Sequence, residues 1–257
     1  MLRGSFQPDR LTGERYFRWR GGDVSRLEGL CDAVFALGLT LLVVRLQVPS
    51  SLSEVMYALE RAPVYLVCFA FFVWVWYLHF QFHRRYGLED ALTVALDAAI
   101  VFVVLLFVLP LRFFAEAFYS KVFDGDAYQH DARGNVLLGA DGTELLAFDG
   151  GSQTALMVFY AGGFTLIFGL YAVQTLRALR RKDLLELDAV EELITQHTLQ
   201  RHLASTSVGL IAIALSLVGG RFAAMSGLVF FLMGPLHGLL GWRQGKKVEA
   251  VASRAGL

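Results

Sequence analysis

Long stretches without a charged residue constrain this chain more than any other feature. Four can be read directly: Ala62 to His83, Gly150 to Leu176, Leu203 to Gly220 and Phe222 to Trp242. Each is close to the roughly 20 apolar residues that an α-helix needs to cross a bilayer. A fifth, Ala91 to Leu111, is interrupted only by Asp97. A sixth, Arg26 to Leu46, contains the shorter uncharged run Ala33 to Val44. Composition agrees, with 56% hydrophobic and 18% charged residues, an apolar excess over globular usage. The expected fold is an all-α integral membrane protein with six transmembrane helices per subunit.

The distribution of charge orients those spans. With the N-terminus in the cytoplasm, 17 of the 23 Lys and Arg residues fall inside and six outside, as the positive-inside rule requires. Both termini are therefore expected in the cytoplasm of a multi-pass plasma-membrane protein. The predicted layout is a cytoplasmic segment 1–25, a six-span domain 26–242 and a cytoplasmic tail 243–257. The domain includes an outer loop 112–151 and a cytoplasmic linker 177–202. Formal net charge is zero, so whole-chain charge says nothing about an acidic partner, and no nucleic-acid partner is expected of such a membrane chain. Cys31 and Cys68 both fall within spans and read as small packing residues, neither a disulfide framework nor a zinc pair. The arginine-rich start has aromatic Tyr16, Phe17 and Trp19 but no apolar core or cleavage site of a signal peptide, so the first span must serve as the targeting signal.

Between spans, Ser50 to Arg61 reads as a short, partly helical connection. Pro110 predicts the end of the third span. Asp124-Gly125, Arg133-Gly134 and Asp141-Gly142, with Val136 to Leu138 and Leu145 to Phe148 between them, suggest an outer hairpin. In the linker, Leu184, Leu185, Leu187, Val190, Leu193 and Ile194 recur at mostly helical spacing, which predicts an amphipathic helix or an extension of span four. Gly219-Gly220-Arg221 reads as a tight turn between spans five and six.

Arg26, Glu28 and Asp32 open an otherwise apolar helix, where ionisable groups must be paired or hydrated. Arg26 and Asp32 are about 600° apart around the helix axis and cannot simply pair with each other. His79 on span two and Asp97 on span three are the candidate partners. Arg26, Asp32, His79 and Asp97 are thus expected to form a network that locks helices together; a proton relay through the same groups is the sharper alternative. Further along, Leu37, Thr40, Leu41 and Val44 follow the i, i+3, i+4, i+7 pattern of one helix stripe. Periodicity alone makes that stripe core packing, with the Thr hydroxyl bonded one turn back.

The segment Arg26 to Val43 resembles the first span of the transmembrane protein 175 family of potassium channels, which carries an Arg, three variable residues and Phe-Ser-Asp. Arg26 and Asp32 keep that separation, while Leu30 and Cys31 replace the Phe and Ser. Trp76-Tyr77-Leu78-His79 and Leu109-Pro110 extend the resemblance over roughly the first 110 residues. The resemblance implies a homotetramer with a pore lined by the first helix. It makes Leu37, five residues past the Asp, the narrowest ring, and Thr40, eight past it, the residue that tunes ion choice. Leu41 and Val44 would continue the wall. A hydrophobic ring can gate by dewetting, and hydroxyls can replace part of an ion's hydration shell. The Thr-Val-Gly-Tyr-Gly filter is absent, so selectivity is expected to be weak. Arg45, near the outer mouth, is expected to snorkel toward headgroups. The implied partners are potassium ions and the lipid bilayer.

No cofactor or metal centre is expected. His79 and His83 share a helix face, but sequence places no third ligand beside them. His237, after Gly234 and Pro235, reads as a packing histidine. No phosphate loop, dinucleotide fingerprint, nucleophile elbow or zinc-protease pair occurs, so an enzyme is not expected. The competing functions are a proton-coupled transporter using Asp32, His79 and Asp97, and a non-transporting membrane assembly protein.

Overall fold

A computed structural model describes residues 14, 16–44, 51–60, 62–119, 135–138, 150–219, 222 and 225–254. The helices are α1 (Arg26–Val44), α2 (Leu52–Glu60), α3 (Ala62–Tyr86), α4 (Ala91–Tyr119), α5 (Gly150–Arg180), α6 (Ala189–Val218) and, after a 3-10 segment Gly227–Leu232, α7 (Met233–Arg254). Tyr65–Tyr86, Thr154–Arg180 and Ala189–Val218 are long and apolar enough to cross a membrane; Ala91–Phe107 is a shorter apolar stretch. The protein is thus an all-α, multi-pass membrane protein in its described residues.

Several boundaries differ from the sequence expectation. α4 runs through Pro110 to Tyr119. A proline removes only one ladder hydrogen bond, and ending a helix at bilayer depth would free several backbone groups instead. The linker helix belongs to span five, not span four: the chain turns through residues 181–186 and restarts at Asp188. There a capping box forms, with the Asp188 carboxylate accepting from the Val190 and Glu191 amides while Glu191 accepts from the Asp188 amide. From that cap α6 continues without a break to Val218, where Gly219 takes a positive φ of 78°. Within the apolar stretch Phe222 to Trp242 the 3-10 segment Gly227–Leu232 precedes α7, which carries helix through most of the expected tail. Of the predicted outer hairpin, residues 135–138 carry isolated bridges at Val136 and Leu138, and the rest lies outside the described residues.

The main core joins Phe35 and Leu42 of α1, Cys68, Phe72 and Val75 of α3, Ile100 and Val103 of α4, and Phe168 and Tyr171 of α5. Both cysteines are buried, and neither is in a disulfide among the described residues. A second cluster at one end of the bundle holds Phe17, Phe82, Tyr86, Leu88, Ala178 and Leu185. The segment before α1 is therefore built into the protein. It is fixed by Arg18 and Arg20 on the fully buried Glu191 at 3.0 and 2.6 Å, and by Glu14 on Arg85 at 2.9 Å.

Asp90 secures the same end. Its Oδ1 accepts from the Thr93 amide, capping α4, and its Oδ2 meets Arg177 at 2.7 Å and Arg181 at 2.6 Å, both from the end of α5. Burial disfavours the carboxylate, but the bonds from Arg177 and Thr93 outweigh it and hold the group well below the usual carboxylate range. A depressed folded-state pKa gives stability that is present above the unfolded value and lost as pH falls through the folded one. Asp90→Asn keeps a capping side chain and removes the charge. It should cost roughly 1 kcal/mol at neutral pH. In thermal melts of detergent-solubilised protein, the gap from the parent should shrink as pH is lowered below about 4. A gap independent of pH would contradict the ion-pair assignment.

Candidate ion path and its supporting network

α1 starts on a capping box that the sequence reading overlooked. The Ser25 amide donates to Glu28 Oε2 at 2.8 Å, and the Glu28 amide donates to Ser25 Oγ at 3.1 Å. The Ser-x-x-Glu spacing before an apolar run was the available signal. From this start the helix presents two opposed faces. Cys31, Phe35, Gly38 and Leu42 are buried. Phe35 meets Phe72 edge-on at 5.7 Å, and a Cβ on Gly38 would collide with the Phe72 ring, so glycine permits the close approach of α1 to α3.

Leu30, Leu37, Thr40 and Leu41 lie on the other face, exposed in the single chain, with Leu37 at 52% and Leu41 at 37%. Val44 ends α1, and its side chain lies outside the described residues, as does Arg45. The Thr40 hydroxyl donates to Ala36 O at 2.9 Å. Its proton is thereby directed along the helix, and the oxygen lone pairs remain available to a cation on the exposed face.

The four residues expected to form one network separate into three environments. Arg26 is exposed and makes no ion pair with a described residue. Asp32 accepts a hydrogen bond from Trp76 Nε1 at 2.8 Å, tying α1 to α3. His79 and Asp97 come together, with Nδ1 3.5 Å from Oδ1. Two further residues converge on Asp97: His83 Nε2 at 3.0 Å from Oδ2, and Gln174 Nε2, which donates to Oδ1 at 2.7 Å. His79, His83, Asp97 and Gln174 are all essentially buried. His83, one turn after His79, was legible as a same-face neighbour. Gln174 was not, since a single amide in an apolar span names no partner. Asp97 supplies the third potential metal ligand that sequence could not place beside the histidines. The Phe35 ring lies 5.8 Å from the His79 ring at a tilt of 41°, so this polar centre lies directly behind α1. His237 meets Ser205 Oγ at 3.0 Å, a hydrogen-bonded packing position.

The family profile described as "Endosomal/lysosomal potassium channel TMEM175" matches residues 26–110. A protein of Marivirga tractuosa described as a potassium channel is 31% identical over 238 residues, spanning 90% of this chain and 92% of that one. A crystal structure of a potassium channel of this kind, a threonine-to-alanine variant bound to a nanobody fusion protein, superposes with a TM-score of 0.72 at 28% identity. It covers 90% of this chain and 97% of its own. A Chamaesiphon minutus structure, described as a homolog of a lysosomal potassium-selective channel, gives a TM-score of 0.53 at 18% identity over 85% and 96% of the two chains, a likeness of fold.

Proposed function

We propose, for a chain that belongs to the transmembrane protein 175 family of potassium channels, that it conducts potassium passively across a prokaryotic cell membrane as a homotetramer. Each subunit contributes six spans, with both termini in the cytoplasm, and α1 from the four copies surrounds the axis. Leu37 forms the constriction, Leu41 and Val44 continue the wall, and the Thr40 oxygens replace part of the ion's hydration shell.

The observation that carries this reading is the division of α1 into a packed face and an apolar face that the single chain leaves uncovered. A helix so divided needs either lipid or other copies against its second face, and Thr40 in the middle of that face suits water and ions better than acyl chains. Asp32 and Trp76 tie α1 to α3 away from this face, and the stripe Leu37, Thr40, Leu41 and Val44 carries no charged side chain. Four hydroxyl oxygens are a modest replacement for hydration, and selectivity is accordingly weak.

Thr40→Ala tests the assignment. Removing the oxygens should lower the potassium-to-sodium permeability ratio toward unity in planar bilayers while conduction persists. An unchanged ratio would contradict the role given to Thr40.

A further inference from the structure

We propose that His79, His83 and Asp97 form a binding site for a divalent transition metal, with zinc the best-suited ion, buried between α3 and α4. One ligand atom from each side chain falls within a 4.8 Å cluster. Tetrahedral zinc with bonds of about 2.0–2.2 Å separates its ligand atoms by about 3.3–3.6 Å. The two histidine nitrogens stand 3.0 and 3.5 Å from the Asp97 oxygens, so small side-chain rotations would complete the geometry. Two imidazoles and one carboxylate form a mixed nitrogen and oxygen donor set typical of zinc, whereas magnesium and potassium favour oxygen alone.

A hydrogen-bonded network without an ion accounts for these residues poorly. Asp97 is occupied by His83 and Gln174, and both ring nitrogens of His79 are buried without a hydrogen-bond partner. A neutral imidazole must bury one donor and one acceptor, and an ion at Nδ1 would satisfy the acceptor. Gln174 fixes the orientation of the carboxylate from α5, as the outer partners of metal ligands commonly do. The Gln174 carbonyl oxygen is also buried and unpartnered, a candidate fourth donor.

A small recess lies on the surface beside His83. It is lined by Asp23, Glu28 and Glu89, with Arg20 as the countercharge and His83 among its walls. Asp23 and Glu89 are exposed while Glu28 and His83 are buried. Because the Phe35 ring of α1 packs near His79, an ion here would stiffen the surface against which α1 rests.

The test uses the full-length protein in detergent, stripped with a chelator and titrated with cobalt(II) in potassium buffer. One cobalt per chain is expected, with the intense visible absorption of a four-coordinate ion, displaced by zinc. His79→Asn is the informative variant because that ring makes no hydrogen bond. Its affinity should fall by at least about tenfold, and His83→Gln should behave similarly. Zinc-edge X-ray absorption of the unmodified protein should show two imidazole ligands, a readout that needs no variant. Absence of stoichiometric binding, binding undiminished in His79→Asn, or a spectrum without imidazole would each overturn the proposal.

Discussion

Leu37→Asn should raise potassium flux through reconstituted protein by roughly 10- to 100-fold, a lowering of the barrier by about 1.4–2.8 kcal/mol. The leucine side chain is 52% exposed in the single chain and points away from the packed face of α1. In a ring of four it would present only methyl groups to a narrow path, and water would leave such a constriction readily. Asparagine is close in size but offers an amide donor and acceptor from each copy, so the wetted state would persist and a hydrated ion could pass. The effect should be specific to this face. Flux unchanged in Leu37→Asn, in protein that still assembles, would remove Leu37 from the constriction.

The second large effect concerns stability. Glu191→Ala should lower the unfolding free energy by roughly 2–4 kcal/mol, because breaking a buried ion pair strands the surviving charges. The Glu191 side chain is inaccessible, and Arg18 and Arg20 both reach it from the segment that precedes α1. Arg20 is 11% exposed and would be left almost dry, whereas Arg18 at 45% can turn to water, which keeps the loss below the upper range for buried pairs. The same substitution removes half of the capping box of α6. For a chain of this length the melting temperature should fall by about 5–15 °C. Glu191→Gln retains the cap partner and should fall less. A melting temperature within 1–2 °C of the parent in Glu191→Ala would show that the N-terminal segment is not held in this way.

The membrane class of the chain was legible because lipid enforces helices and long apolar runs are hard to mistake. The start of α3 at Ala62 follows directly from such a run, whereas α1 starts at Arg26, seven residues before the uncharged run Ala33 to Val44. Pro110 misled because a local breaker was weighed without the cost of exposing backbone to lipid. The leucine spacing that follows α5 does not reveal the join between linker and α6, whereas Asp188-x-x-Glu191 marks the helix start.

The candidate site divides the same way. His79 and Asp97 could be paired from depth in the membrane, but Arg26 could not be separated from them without knowing which way each helix turns. The contact of Gln174 with Asp97, and the placing of Asp97 beside both histidines, arise only when α3, α4 and α5 pack together. Leu37, Thr40 and Leu41 had no distinctive signal in periodicity. Resemblance singled them out, and in the single chain they lie exposed on the uncovered face of α1.

The most direct test is the structure of the assembled protein purified in detergent or nanodiscs. The account predicts four copies around one axis, with α1 innermost and the Leu37 side chains and Thr40 oxygens facing that axis. A monomer, or an assembly in which Leu37 and Thr40 face lipid, would contradict it.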